Sequence, residues 1–159
     1  MNTSAVRHLS FYPFVQALAR SKARFSLEAA ADDLSSCELV WWKRSVPEKK
    51  QTAPMHISIS DRCTDQWVAE VSFQEEAHYI KYGFKLTDQA GKTAWFNAYG
   101  FHAKETPEGS FEILQINETD VLRIPAWSQG CIYYQIFPER FAKSGMVQGN
   151  FDDWDAAPT

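Results

Sequence analysis

The stretch that most limits the fold is Tyr79–Leu86, Y-I-K-Y-G-F-K-L, where apolar and outward-tolerant residues alternate. Ile80, Tyr82, Phe84 and Leu86 fall on one side, and Tyr79, Lys81, Gly83 and Lys85 on the other. A period of two belongs to a strand with one buried face, because a helix brings together residues three and four apart. Such a strand needs an apolar layer against one face only, which is the demand made by antiparallel sandwiches and barrels. Asp88-Gln89-Ala90-Gly91 reads as a turn, and Lys92–Ala98 as the returning hairpin partner through Trp95 or Phe96.

The same period recurs through the chain. Cys37, Leu39 and Trp41 share one face, with Glu38, Val40 and Trp42 on the other. Ile57 and Ile59 alternate within His56–Ser60, and Trp67, Ala69, Val71 and Phe73 line one face of another strand. Phe111–Ile116 is a last strand before Pro125. Ser45–Pro54 and Phe101–Ser110, which carry Pro and polar residues, are expected to be loops. Before Cys37 the signal divides. Val15–Ala19 and Ala23–Leu34 are rich in good helix formers, yet Phe25, Leu27 and Ala29 alternate with Arg24, Ser26 and Glu28. Six to eight short strands without a secure helix point to an antiparallel β-sandwich ending near Ile124–Ser128.

Composition narrows the function. A formal net charge of −4 argues against the basic footprint of a nucleic-acid binder. No apolar stretch approaches the roughly 18 residues of a membrane helix. Leu9–Ala19 is interrupted by Ser10, Pro13 and Gln16 behind a single Arg7, so it does not read as a secretory leader. Cys37, Cys63 and Cys131 are odd in number and lack C-x-x-C spacing, which suits free, buried thiols in a reducing, cytoplasmic compartment.

The run Cys131–Phe141, C-I-Y-Y-Q-I-F-P-E-R-F, stands apart. Its apolar residues do not alternate cleanly, as in a strand covered on both faces in a parallel sheet. Such a strand needs crossover connections to its neighbours, and Thr159 follows soon after.

Trp127–Phe141 resembles the opening of the catalytic barrel in neopullulanases, cyclomaltodextrinases and maltogenic amylases of the alpha-amylase superfamily. The shared motif residues are Tyr134, Gln135, Pro138, Glu139, Arg140 and Phe141. Tyr79–Leu86 is similar to the Y-x-Y-x-F-x-L strand of the module that precedes that barrel, and Trp67–Val71 and Tyr99-Gly100-Phe101 match its pattern. The resemblance implies an all-β, immunoglobulin-like antiparallel β-sandwich over residues 1–125. It also implies that residues 126–159 are a linker and the first strand and loop of a truncated (β/α)8 barrel. A whole barrel takes about 250 residues, so the chain is expected to be the N-terminal module plus one barrel strand.

In the resembled enzymes an aspartate and a glutamate from later barrel strands cleave α-glucosidic bonds with retention. No residue of this chain is expected to inherit that role, and Glu139, Arg140 and the pair Glu75-Glu76 read as local charges. Calcium follows the motif in several members. Here Asn150, Asp152 and Asp153 offer oxygens, but Lys143-Ser144-Gly145 replaces the usual N-G-D, so a solvated acidic tail is preferred and no cofactor is expected. The resemblance implies as partners α-glucan oligosaccharides, the chain's own catalytic barrel and a second subunit. Sugar rings pack their C–H faces on aromatics, so the outward Trp42, Tyr79, Trp95 and Tyr99 are the candidate contacts. The alternative is a purely structural interaction module that touches no sugar.

Overall fold

The computed structural model describes residues 1–121, 123–128 and 130–136. Ten strands carry the architecture: β1 Val15–Ala19, β2 Lys22–Ala30, β3 Leu34–Lys43, β4 Gln51–Pro54, β5 His56–Ser60, β6 Thr64–Ser72, β7 His78–Asp88, β8 Thr93–Asn97, β9 Gly100–His102 and β10 Phe111–Gln115. A four-stranded sheet runs β1-β2-β6-β5 and a six-stranded sheet runs β4-β3-β7-β8-β9, with β10 also on β7. Neighbouring strands pair antiparallel, so this is the immunoglobulin-like sandwich expected.

Strand β7 is the axis of the larger sheet. One edge pairs with β3 from Ile80 to Asp88, and the other is shared by β10 over His78–Tyr82 and β8 over Phe84–Thr87. Its alternation holds: Ile80, Tyr82, Phe84 and Leu86 are buried in the main core. They meet Phe25, Leu27, Ala29, Trp67, Ala69 and Val71 of the smaller sheet. The divided signal before Cys37 resolves to strands, because the face carrying Phe25, Leu27 and Ala29 is needed by the core.

Two expected loops contain short strands. Gln51–Pro54 pairs with Glu38–Trp41 as an edge, where a terminal proline interrupts no ladder, and Gly100–His102 pairs with Trp95–Asn97. The three cysteines are free, but only Cys37 is buried; Cys63 and Cys131 are exposed, since they lie in a turn and in the segment after the last strand.

The chain divides after Arg123 into two units. In the second, Ala126–Ser128 form one 3-10 turn. Cys131–Ile136 make no strand, and Ile132, Tyr133, Tyr134 and Ile136 are exposed. The strand expected over Cys131–Phe141 is therefore not seen in its described part, as no described strand pairs with it. Residues 137–141 lie outside the described residues.

At the centre of the core, His8 joins the two sheets. Its Nδ1 is 2.7 Å from the Ser26 carbonyl of β2 and its Nε2 is 2.9 Å from the Tyr82 hydroxyl of β7. A carbonyl only accepts, so Nδ1–H donates to Ser26 and Nε2 accepts from Tyr82. Phe84 and Phe111 close around the imidazole at centroid distances of 4.6 and 4.7 Å. Burial in this apolar cage holds the His8 pKa down at about 4, against the opposing pull of the Ser26 hydrogen bond.

An unfolded histidine titrates near 6.5, so His8 favours the folded state fully above that pH and loses the contribution as pH falls toward 4. Urea unfolding should register a loss on the order of 3 kcal/mol across this window. His8→Gln should start less stable and lose most of the slope. A stability that stays level from pH 6.5 to 4 in the native sequence would contradict the assignment.

Candidate functional site

The outer face of the six-stranded sheet carries two of the four candidate aromatics. Trp42 and Trp95 point away from the main core as expected, yet they are only 2% and 3% exposed. With Val40 they form a small second cluster. The cause is Gly83, which lies between them on β7 opposite Val40. A Cβ on Gly83 would sit 2.3 Å from the Trp95 ring, so the missing side chain leaves the space that the indole fills. Lys50 lies over the Trp42 ring at 4.8 Å, brought there by the segment between β3 and β4. That segment also contributes Val46 and Lys49 to a cavity of about 200 Å³ reached by Trp42. Neither indole presents an open ring face for a sugar. This corrects the expectation for both: outward on a strand did not mean uncovered.

Tyr79, the second residue of β7, has a left-handed φ of 49°, unusual for a residue with a side chain. Its carbonyl accepts from the Arg44 backbone N–H at 2.8 Å, and the Arg44 guanidinium lies over its ring at 4.0 Å. One face of Tyr79 is thus taken by a cation–π contact. About half the residue, 48%, stays exposed.

Tyr99 is the open one, at 79% exposure. It sits not on a strand face but in the turn between β8 and β9. The back of its ring rests on Gly109, where a Cβ would come within 2.4 Å of the ring. Gly109 also holds φ at 68°, so it suits glycine twice over. The turn is built on buried Asn97, whose Nδ2 donates to the Glu108 carbonyl at 2.8 Å. Asn97 Oδ1 accepts from the Tyr99 N–H at 2.9 Å and from His102 Nε2 at 3.1 Å. The result is a flat ring with a fixed back and a free front. Asn97 and Gly109 are supports that no motif in the sequence marks, because their role comes from the β8–β9 turn meeting the loop before β10.

Acidic chemistry is sparse. Exposed Glu75 and half-buried Glu76 are ion-paired to Lys43 and Arg20, as local charges rather than a facing pair. Among the described residues no three His, Cys, Asp or Glu side chains gather to hold a metal. Tyr134 and Gln135 are described and exposed, whereas Pro138, Glu139, Arg140, Phe141, Asn150, Asp152 and Asp153 lie outside the described residues. No helix among the described residues is long and apolar enough to cross a membrane.

A family model described as "Alpha amylase, N-terminal ig-like domain" matches residues 1–117. Neopullulanase 2 of Thermoactinomyces vulgaris is 29% identical over 144 residues, which cover 89% of this chain and 24% of that protein. A cyclomaltodextrinase of a Bacillus species is 40% identical over 91 residues, or 56% of this chain and 16% of its own length. A solved cyclomaltodextrinase structure superposes with a TM-score of 0.76 at 30% identity, over 91% of this chain and 25% of that one. The chain therefore spans about a quarter or less of the proteins it matches.

If Gly83 is the floor that lets Trp95 lie down, Gly83→Ala should lift the indole. Loss of about 1–3 kcal/mol of stability is expected from the overpacking, with red-shifted tryptophan emission and greater iodide quenching. Unaltered emission and an unaltered unfolding midpoint would contradict this packing.

Proposed function

The chain belongs to the family of alpha-amylase N-terminal immunoglobulin-like domains, and from that premise we propose that it is the non-catalytic N-terminal module of an α-glucan hydrolase of the neopullulanase and cyclomaltodextrinase type. In this reading residues 1–125 are the module, and residues 126–159 are a linker with the opening strand and loop of a catalytic barrel. The catalytic carboxylates belong to that barrel, outside this chain. The module contributes substrate contacts and part of a subunit interface, in a cytoplasmic enzyme whose three thiols are free.

The observation that carries the sugar-binding half is the Tyr99 ring, backed by Gly109 and open in front. A pyranose C–H face packs on such a ring while the phenol tip adds a hydrogen bond. By analogy with bases on aromatics, one stacked ring supplies roughly 1–3 kcal/mol. That is less than the roughly 4 kcal/mol of a millimolar complex. A contact this weak becomes useful when a covalently attached catalytic domain already holds the same glucan, since the second event is then intramolecular.

A second reading, a structural module that docks on protein and touches no sugar, is favoured by the other aromatics. Trp42 and Trp95 are buried, and Tyr79 is capped by Arg44.

Calorimetric titration of the chain with maltohexaose separates the two. The glucan reading expects weak binding, with a Kd on the order of tens of millimolar, reduced at least fivefold by Tyr99→Ala and little changed by Tyr79→Ala. No heat up to about 300 mM, well above that range, would leave the structural reading in its place.

A further inference from the structure

The outer face of the four-stranded sheet is not flat. Between the segment leading into β1 and strand β5 runs an open groove of about 640 Å³, floored by β2 and β6. That volume falls within the roughly 300–1,000 Å³ usual for ligand sites. Tyr12 stands on one wall and Ile59 on the other, at 66% and 62% exposure. A bulge in β5 sets Ile59 opposite Gln66 of β6, which turns it toward the groove.

The wall bearing Tyr12 is fixed. Phe14, buried in the core, ties its carbonyl to Ser26 of β2 through the backbone N–H at 2.8 Å and the hydroxyl at 3.3 Å. The Phe14 and Val15 amides both return to the Phe11 carbonyl at 3.0 Å. The backbone that carries Tyr12 is therefore held in a tight turn rather than hung on a loose end.

The lining selects its ligand by chemistry. Its Arg24 and Glu70 are locked together, with Arg24 Nε and Nη2 at 3.1 and 2.6 Å from Glu70 Oε1. Lys22 Nζ holds the other Glu70 oxygen at 2.6 Å. With Arg24 already spent on a carboxylate, the groove is poorly suited to a phosphate or an acidic peptide. Gln16, Gln66 and Ser58, by contrast, make no side-chain hydrogen bond to another described residue. They leave neutral donors and acceptors facing the space. Beside His56 and the internally paired Arg24 and Glu70, the neutral Gln16, Gln66 and Ser58 and the Tyr12 ring suit a neutral polyhydroxyl chain.

We propose that this groove is a second oligosaccharide-binding site, separate from Tyr99, in which Tyr12 stacks on a sugar ring and Gln16 and Gln66 bond its hydroxyls. The proposal rests on the glucan-module reading and extends it to a second surface.

The test is an amide-resolved NMR titration of the 159-residue chain with maltohexaose, and separately with inorganic phosphate. Maltohexaose should shift the amides of Gln16, Ile59 and Gln66, and these shifts should persist in Tyr99→Ala. Tyr12→Ala should weaken them about threefold to tenfold, and Gln66→Ala should weaken them independently. Both residues lie at the surface side of the sheet, so native-like spectra of the variants will verify folding. Shifts confined to the Tyr99 turn would overturn the groove and leave the glucan module standing. Groove shifts caused by phosphate alone, or unmoved by either substitution, would also overturn it. No shifts anywhere with maltohexaose would sink both the groove and the sugar-binding role.

Discussion

The sandwich depends on one buried polar bridge. Tyr82 places a hydroxyl, and His8 an imidazole, in the middle of an aromatic core where an unpaired polar group would cost about 1–3 kcal/mol. Paired with each other and with the Ser26 carbonyl, they connect the two sheets at a fixed depth. The bridge also pins the segment before β1, since Arg7 exchanges backbone hydrogen bonds with Glu28 and the Phe14 ring packs against His8. From there the order passes outward to the tight turn that carries Tyr12.

The larger sheet shows a second principle, that an outer face can acquire a core of its own. Gly83 removes a side chain from the centre of β7, and Trp95 falls into the vacancy beside Val40 and Trp42. The burial stiffens the sheet at the cost of two aromatic surfaces. What remains open is Tyr99 in a turn, where Asn97 and Gly109 hold it with its front uncovered. Stiffness beneath and exposure above are the two properties a weak stacking contact requires, because little entropy is then lost on binding.

Much of the fold was legible because burial on one face writes a period of two into the chain, as Ile80 to Leu86 illustrate. Phe25, Leu27 and Ala29 prevailed over helix propensity for the same reason. Short strands at the sheet edge such as Gln51–Pro54 and Gly100–His102 bury few side chains and so leave little trace. The candidate site was less legible. Alternation assigns Trp42 and Trp95 to the outer face but is silent on the Gly83 vacancy and on the loop that brings Lys50 over Trp42. Tyr12 lies in a segment without periodicity, and its position in a groove wall depends on β5 standing across β2 and β6.

The central claim is that this module meets a glucan through a preset aromatic surface. A crystal structure of the chain grown with maltohexaose tests it most directly. The account predicts a glucose ring lying flat against the face of Tyr99 opposite Gly109, with the turn backbone unmoved. A Tyr99 front covered by protein, with no sugar on it at saturating maltohexaose, would contradict the account.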